Sequence, residues 1–175
     1  MRILPTSIAG LHEIEGRAHH DERGFFLRTW CREEFLAADI DFSPVQTSVS
    51  ANIHRHTLRG MHYQVSPARE RKLVRCLYGR ILDMVLDLRE DSPTRLQHWA
   101  VTLCSDAGNA LFIPEGCAHG FMTLTDGALV EYMMDTPHAP EHARGLRWDD
   151  SALRLPWPAR PLVISARDRN WPDHV

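Results

Sequence analysis

The sequence lacks the long apolar segments and the charge bias that mark several large classes of protein. No run approaches the ~18 uninterrupted apolar residues of a membrane helix, so no membrane-spanning segment is predicted. A net charge of −3 and 43% hydrophobic residues exclude the basic surface of nonspecific nucleic-acid binders and the composition of disordered chains. We therefore expect a globular cytoplasmic protein that binds neither nucleic acid nor membrane.

Several chemical motifs are also absent. The four cysteines are widely separated and include no Cys-x-x-Cys pair, which argues against a zinc knuckle and a thiol redox motif and predicts reduced cysteines. The chain has no Gly-x-Ser-x-Gly elbow, phosphate-binding glycine loop or dinucleotide fingerprint. Hydrolase and dehydrogenase functions therefore lack support, and no cofactor is expected.

What the chain does contain is a series of short strand-like runs between turn residues, typical of an antiparallel sandwich or barrel. Helical periodicity is weak and predicts one short helix over 32–38. A chain of 175 residues fits a single domain, and five prolines between 137 and 161 predict an irregular C-terminal wrap from about residue 135. The predicted strands cover 24–30, 45–52, 73–78, 81–88, 98–103, 109–113, 120–125 and 128–134.

One strand-like stretch, LRGMHYQ from Leu58 to Gln64, places Arg59 three residues before His62, so an anion-binding group and a base could share one wall. Further along, Lys72 and Asp83 fall in two strands joined by a tight turn, each on a face with aliphatic residues. Buried charges are costly unless paired or used, so inward faces would indicate a site. Reversed faces would put both charges in solvent, and the alternation pattern leaves both possibilities open.

The eleven histidines raise the question of a metal. His54 and His56 form a His-x-His pair, but the glutamate that metal-binding strands of this type carry a few residues later is missing, so we favour an exposed loop and expect no metal. Taken alone, His119 after a Pro/Gly turn and Tyr132 within a strand have ordinary structural explanations. Asp168 would ordinarily be a surface charge.

Seven motifs follow one another along the chain: RGFF from residue 23, QTSVS from 46, LRGMHYQ from 58, KLVR from 72, DLREDSPT from 87, IPEGCAHGF from 113, and WDD from 148 with LPWP from 155. Together they resemble the dTDP-4-dehydrorhamnose 3,5-epimerase family over nearly the full length. The resemblance implies an all-β, cupin-type jelly-roll barrel with short peripheral helices. The unpaired edge strands of such a barrel also favour a homodimer.

The same resemblance implies epimerisation at C3 and C5 of a nucleotide-diphosphate 4-keto-6-deoxy sugar. His62 would be the general base, oriented by Asp168, and Tyr132 the acid on the other face of the sugar. Lys72 would stabilise the enolate oxygen. The implied substrate-binding positions are Asp83 and His119 in the same pocket, Arg59 and Arg23 at the diphosphate, and Phe26 and Gln46 at the nucleoside, some of them from a neighbouring subunit.

Three further substrate-binding positions depart from the family pattern. Arg28 stands where glutamate is common, Ser48 where asparagine is usual, and His138, after Pro137, where an aromatic ring stacks in the nucleotide site. The catalytic set is therefore complete while the nucleotide set differs, which leaves the base open.

Three other functions remain to be weighed against the double epimerase. A 3-epimerase or ketoisomerase of the same superfamily would share the barrel and the histidine but differ in the proton donor. A noncatalytic sugar-nucleotide binding protein would bind without His62, and a metal-dependent oxygenase would contain metal.

Overall fold

The computed structural model describes residues 1–174 and is built mainly of β-strands. Two short helices, α1 (Arg32–Leu36) and α2 (Ala166–Arg169), accompany them. The strands are β1 (Arg2–Pro5), β2 (His12–Glu15), β3 (Ala18–Asp21), β4 (Gly24–Leu27), β5 (Gln46–Asn52), β6 (Thr57–Gln64), β7 (Lys72–Tyr78), β8 (Arg80–Asp87), β9 (His98–Cys104), β10 (Ala110–Ile113), β11 (Cys117–Thr123), β12 (Ala128–Met134), β13 (Ala143–Gly145) and β14 (Val163–Ile164).

Two six-stranded sheets form the barrel. One has the order β1-β2-β10-β7-β12-β5, and the other has the order β13-β6-β11-β8-β9 with β14 added in parallel to β6. Buried residues of both sheets, such as Val74, Val130, Val85 and Phe121, belong to one hydrophobic cluster, so the core lies between the sheets. The predicted all-β, cupin-type jelly roll is confirmed.

The predicted strands are all present, with ends shifted by a few residues except for 128–134, which matches β12. The prediction of 24–30 was too long because β4 ends at Leu27, and the helix predicted over 32–38 ends at Leu36. β1, β2, β3, β13, β14 and α2 were not predicted. β3 shows why: its sequence AHHD is exposed throughout and has no apolar alternation to detect.

The C-terminal segment returns to one strand of the barrel. β13 pairs antiparallel with β6, β14 pairs parallel with it, and α2 contacts it as well. Residues far apart in sequence are thereby brought to β6. Neither helix in residues 1–174 has the length and apolar character of a membrane span.

An irregularity in β6 sets the direction of its side chains. Arg59 and His62 are three positions apart, which would put them on opposite faces of a regular strand. Here His62 pairs with His119 but Arg59 pairs with Phe121, so the register shifts between them, as in a β-bulge. Both side chains can therefore face the same side of the sheet.

Gly60 makes this bulge possible. Its φ is +140°, and a Cβ at this position would lie 2.5 Å from the Cα of Gly120 on the neighbouring strand. Any side chain would strain the backbone and push the two strands apart.

We expect Gly60→Ala to lower the free energy of unfolding by about 3 kcal/mol or more, because strain and a backbone clash add together. Gly24→Ala is the matched control, since Gly24 also has a positive φ (+125°) but has nothing within 4 Å of the added Cβ. It should cost only about 1 kcal/mol. Urea unfolding measures both, and equal losses would contradict the role of the close approach.

Candidate active site

A histidine and a carboxylate from distant parts of the chain form a hydrogen-bonded pair beside the β6 bulge. His62 Nε2 lies 2.6 Å from Asp168 Oδ1. Asp168 is the third residue of α2, and Ser165 caps this helix by accepting a hydrogen bond from the Asp168 backbone N–H at 3.0 Å. Gly60 N–H donates to the other carboxylate oxygen at 3.3 Å. The carboxylate is thus fixed to the same strand that carries the histidine.

The charge state of Asp168 follows from these contacts. Burial raises its pKa, but the hydrogen bond and charge of His62, the Gly60 N–H and the indole N–H of Trp171 together outweigh burial, so the pKa lies below its usual value. The carboxylate is therefore ionised at neutral pH and accepts from the ring. The Nε2 atom of His62 then carries the proton, which leaves Nδ1 with a free lone pair.

A second histidine–carboxylate pair lies deeper. His119 Nε2 is 3.0 Å from both carboxylate oxygens of Asp83, and both residues are buried. They come from the neighbouring strands β11 and β8. Because each partner satisfies the other, the pair can be buried without an unpaired charge.

Tyr132 packs against this pair from the opposite sheet. Its ring centroid lies 6.0 Å from that of His119 and 6.3 Å from that of Phe121. Burial raises the pKa of Tyr132 well above its usual value, the negative charge of Asp83 raises it further, and Arg59 opposes the shift. The phenol therefore keeps its proton at neutral pH.

Lys72 opens β7 and forms an ion pair with Glu70. Its Nζ atom lies 2.8 Å from Glu70 Oε1, and both side chains are about nine-tenths buried. Glu70 could not be predicted from the sequence, because it lies two residues before β7 and outside any periodic pattern of apolar residues. Its carboxylate fixes one direction of the Lys72 ammonium.

These groups line two adjacent cavities that share His62, Lys72 and Tyr132. The first cavity has a volume of about 510 Å³ and also contains Arg59, His119 and Asp168 in its lining. The second cavity has a volume of about 370 Å³. Its further lining residues include Gln46, Ser48, Glu70, His138, Arg144 and Arg167.

The structure brings together most of the side chains singled out in the sequence. All four predicted catalytic residues line the first cavity, with Arg59 and His119, while Gln46, Ser48 and His138 line the second. Asp83 lies behind His119 and contacts that ring. The inward orientation of Lys72 and Asp83 is therefore the one observed.

Three predicted substrate-binding residues lie elsewhere in this chain. Arg23 and Phe26 belong to the β3–β4 hairpin and are strongly exposed, and Arg28 forms an ion pair with Glu34 at 3.0 Å. None of the three lines either cavity. A site that contains these three residues would therefore need a second chain to supply them.

The His-x-His pair considered as a possible metal site lies outside the strands. His54 and His56 lie in the turn between β5 and β6, as expected for a loop pair. Within residues 1–174, no three His, Cys, Asp or Glu side chains come together in an arrangement that could hold a metal ion. Among the cavity residues without a role predicted from the sequence, Ser50 belongs to the QTSVS motif, whereas Glu70, Arg144 and Arg167 lie outside all seven motifs.

The jelly roll, with an oriented histidine and a protonated tyrosine facing one cavity, defines a cupin-type epimerase. Residues 5–174 match the family model described as dTDP-4-dehydrorhamnose 3,5-epimerase. The chain belongs to this family.

Similarity to individual members extends over nearly whole chains. The chain is 38% identical to a dTDP-4-dehydrorhamnose 3,5-epimerase from Methanothermobacter thermautotrophicus, over 97% of this chain and 92% of the relative. A Bacillus anthracis structure of the same enzyme, with TDP and PPi bound, has a TM-score of 0.96 at 34% identity and 99% coverage of both chains. A 3'-monoepimerase from Streptomyces bikiniensis, in complex with dTDP-quinovose, has a TM-score of 0.91 at 32% identity, with coverage of 97% of this chain and 86% of that one.

The raised pKa of Tyr132 can be tested by titration. Ionisation of Tyr132 opposes folding, so stability falls as the pH rises above about 10. The tyrosinate absorbance of native wild type and native Tyr132→Phe should coincide up to about pH 11. In denaturant, the wild type should show one more titrating group among its three tyrosines. A native difference that appears near pH 10 would contradict the burial argument.

Proposed function

We propose that the protein epimerises C3 and C5 of a 4-keto-6-deoxy sugar carried on a nucleoside diphosphate. The observation that carries this proposal is that His62 and Tyr132 reach the same cavities from opposite sheets, β6 in one and β12 in the other. A base on one side and a proton donor on the other are what inversion at a carbon centre requires.

His62 is the proposed base. Asp168 accepts a hydrogen bond from the Nε2–H of His62, which leaves the lone pair of Nδ1 for the substrate, and the carboxylate stabilises the imidazolium that forms after proton transfer. C3 and C5 both flank the C4 carbonyl, so both of their protons are acidified by it. One histidine can therefore serve two centres if the sugar presents each of them in turn.

Tyr132 is the proposed acid. Its high pKa keeps the phenol protonated until a carbanion-like centre accepts the proton. Lys72 is proposed to stabilise the enolate oxygen, since an ammonium in a partly buried site stabilises a developing negative charge better than water does. The ion pair with Glu70 holds this ammonium before the substrate arrives.

The nucleotide is proposed to lie toward the second cavity. Arg144 and Arg167 line this cavity and provide positive charge for phosphate oxygens. Ser48 and His138 also line it, and they are two of the positions at which this chain departs from the family pattern. Thymine is the first candidate for the base, because the relatives are named for a dTDP-linked sugar.

A 3-epimerase is the second candidate, because the chain is also similar to the Streptomyces bikiniensis 3'-monoepimerase. Both reactions use a base and a proton donor, so the number of centres that exchange separates them. A noncatalytic binding protein would retain binding after loss of His62 and would show no exchange at either centre.

The proposal is tested by proton NMR in deuterated water with dTDP-4-keto-6-deoxyglucose. We expect deuterium at both C3 and C5 with the wild type, and a rate at least about 100-fold lower with His62→Ala. His98→Ala, which changes an exposed histidine on β9, is the matched control and should exchange normally. Exchange at C3 alone would assign the 3-epimerase, and no exchange would overturn the thymidine substrate and direct the assay to GDP- and CDP-linked sugars.

A homodimer is the proposed assembly. The β3–β4 hairpin exposes Phe25 and Phe26 by 59% and 72%, and Arg23 on the same hairpin contacts only Asp21 among the described ion pairs. Large exposed aromatic side chains mark interaction surfaces. We propose that each hairpin completes the site of the partner, and that the protein works in the cytoplasm, which suits its four free cysteines.

Subunit complementation tests the exchange of hairpins. Arg23→Ala and His62→Ala should each give inactive homodimers. A heterodimer of the two variants, purified through two different affinity tags, should regain about half of the wild-type activity, because one of its two sites then has both residues intact. Activity that stays absent in the heterodimer would show that Arg23 serves its own chain.

A further inference from the structure

An indole from the C-terminal segment touches the histidine–carboxylate pair. Trp171 Nε1 donates to Asp168 Oδ1 at 3.3 Å, the same oxygen that accepts from His62 at 2.6 Å. The indole and imidazole rings meet edge to face, with centroids 6.3 Å apart and planes at 69°. One carboxylate oxygen is therefore held by two donors from different directions.

The space for this indole comes from a glycine. Gly145 on β13 pairs with His62 on β6, and a Cβ at position 145 would lie 2.3 to 2.6 Å from three atoms of the Trp171 ring. The φ of Gly145 is not in the left-handed region, so glycine is needed here for room and not for backbone conformation. Any other residue would displace the indole from the carboxylate.

The face of the same ring reaches the nucleotide end of the site. The guanidinium carbon of Arg167 lies 4.8 Å from the Trp171 ring centroid, within the range of a cation–π contact. Arg167 lines the second cavity. Trp171 thus contacts one group at each end of the proposed substrate position.

We propose that Trp171 is a positioning residue: its N–H fixes the Asp168 carboxylate toward His62, and its ring face holds Arg167 toward the nucleotide. The role of the histidine in this inference rests on the proposed function. The Gly60 N–H holds Oδ2 and His62 holds Oδ1, and the indole N–H adds a third donor, on Oδ1, which further restricts rotation of the carboxylate about its Cβ–Cγ bond. The reacting nitrogen of His62 then keeps one direction, on which the rate depends steeply.

Two substitutions of Trp171 distinguish the contribution of its indole N–H from that of its ring face. Trp171→Phe keeps an aromatic face under Arg167 but removes the donor, so kcat should fall about fivefold to tenfold with KM changed by less than about twofold. Trp171→Leu removes the face as well, and KM should then rise by a further two- to fivefold. Gly145→Ala keeps the N–H but moves it, and should lower kcat.

The matched control is Trp157→Phe. The indole N–H of Trp157 donates to the Trp148 carbonyl at 2.9 Å, and Trp157 lines neither cavity. The control should lose stability without loss of kcat when assayed well below its melting temperature. A purely structural role for Trp171 would give the same result in Trp171→Phe, and unchanged kcat in that variant would overturn the proposal.

A spectroscopic readout makes the test independent of the proposed function. The proton between His62 Nε2 and Asp168 should give a downfield NMR resonance, which is assigned by its loss in His62→Ala. We expect this resonance to shift in Trp171→Phe and to stay in place in Trp157→Phe. If the wild type exchanges no proton of the dTDP-, GDP- or CDP-linked keto sugars but the resonance shifts, the proposed function fails and the positioning role stands. An unshifted resonance refutes the positioning role.

Discussion

The site depends on the buried carboxylate of Asp168, which connects two distant segments of the chain. It accepts from the backbone of Gly60 and from the ring of His62, and in doing so it attaches the C-terminal segment to the bulged strand of the barrel. Without the bulge, Arg59 and His62 would lie on opposite faces of this strand. Without the capped helix, the carboxylate would have no fixed direction. The proposed chemistry therefore depends on a contact between segments 106 residues apart.

The barrel could be predicted because its strands repeat apolar residues between turns, and the buried strands gave the clearest pattern. The polar hairpin and the short strands of the C-terminal segment could not be found in this way, since exposed strands carry no alternation. Alternation put Lys72 and Asp83 each on a face with aliphatic residues but left open whether that face is buried, and the structure shows that both side chains point inward. Alternation would put Arg59 and His62 on opposite faces, because they are three positions apart. They can face the same side only because the register of β6 shifts between them.

Sequence resemblance supplied what periodicity could not. Asp168 is an ordinary acidic residue until α2 folds against β6, and only the family pattern pointed to it. Glu70 and Trp171 had no such pattern, since each acts through a neighbour and not through its own spacing. The hairpin residues Arg23 and Phe26 are the converse case. The resemblance to the family identified them, but within a single chain they do not reach a cavity.

The order of synthesis gives the Asp168 contact a further consequence. A ribosome makes His62 and strands β1 to β12 well before it reaches residue 168, and domains begin to fold from the N-terminus during synthesis. The barrel can therefore form while its histidine still lacks a carboxylate partner. The nascent chain acquires an oriented base only after residue 168 has been made, so the histidine precedes its carboxylate partner by 106 positions during synthesis.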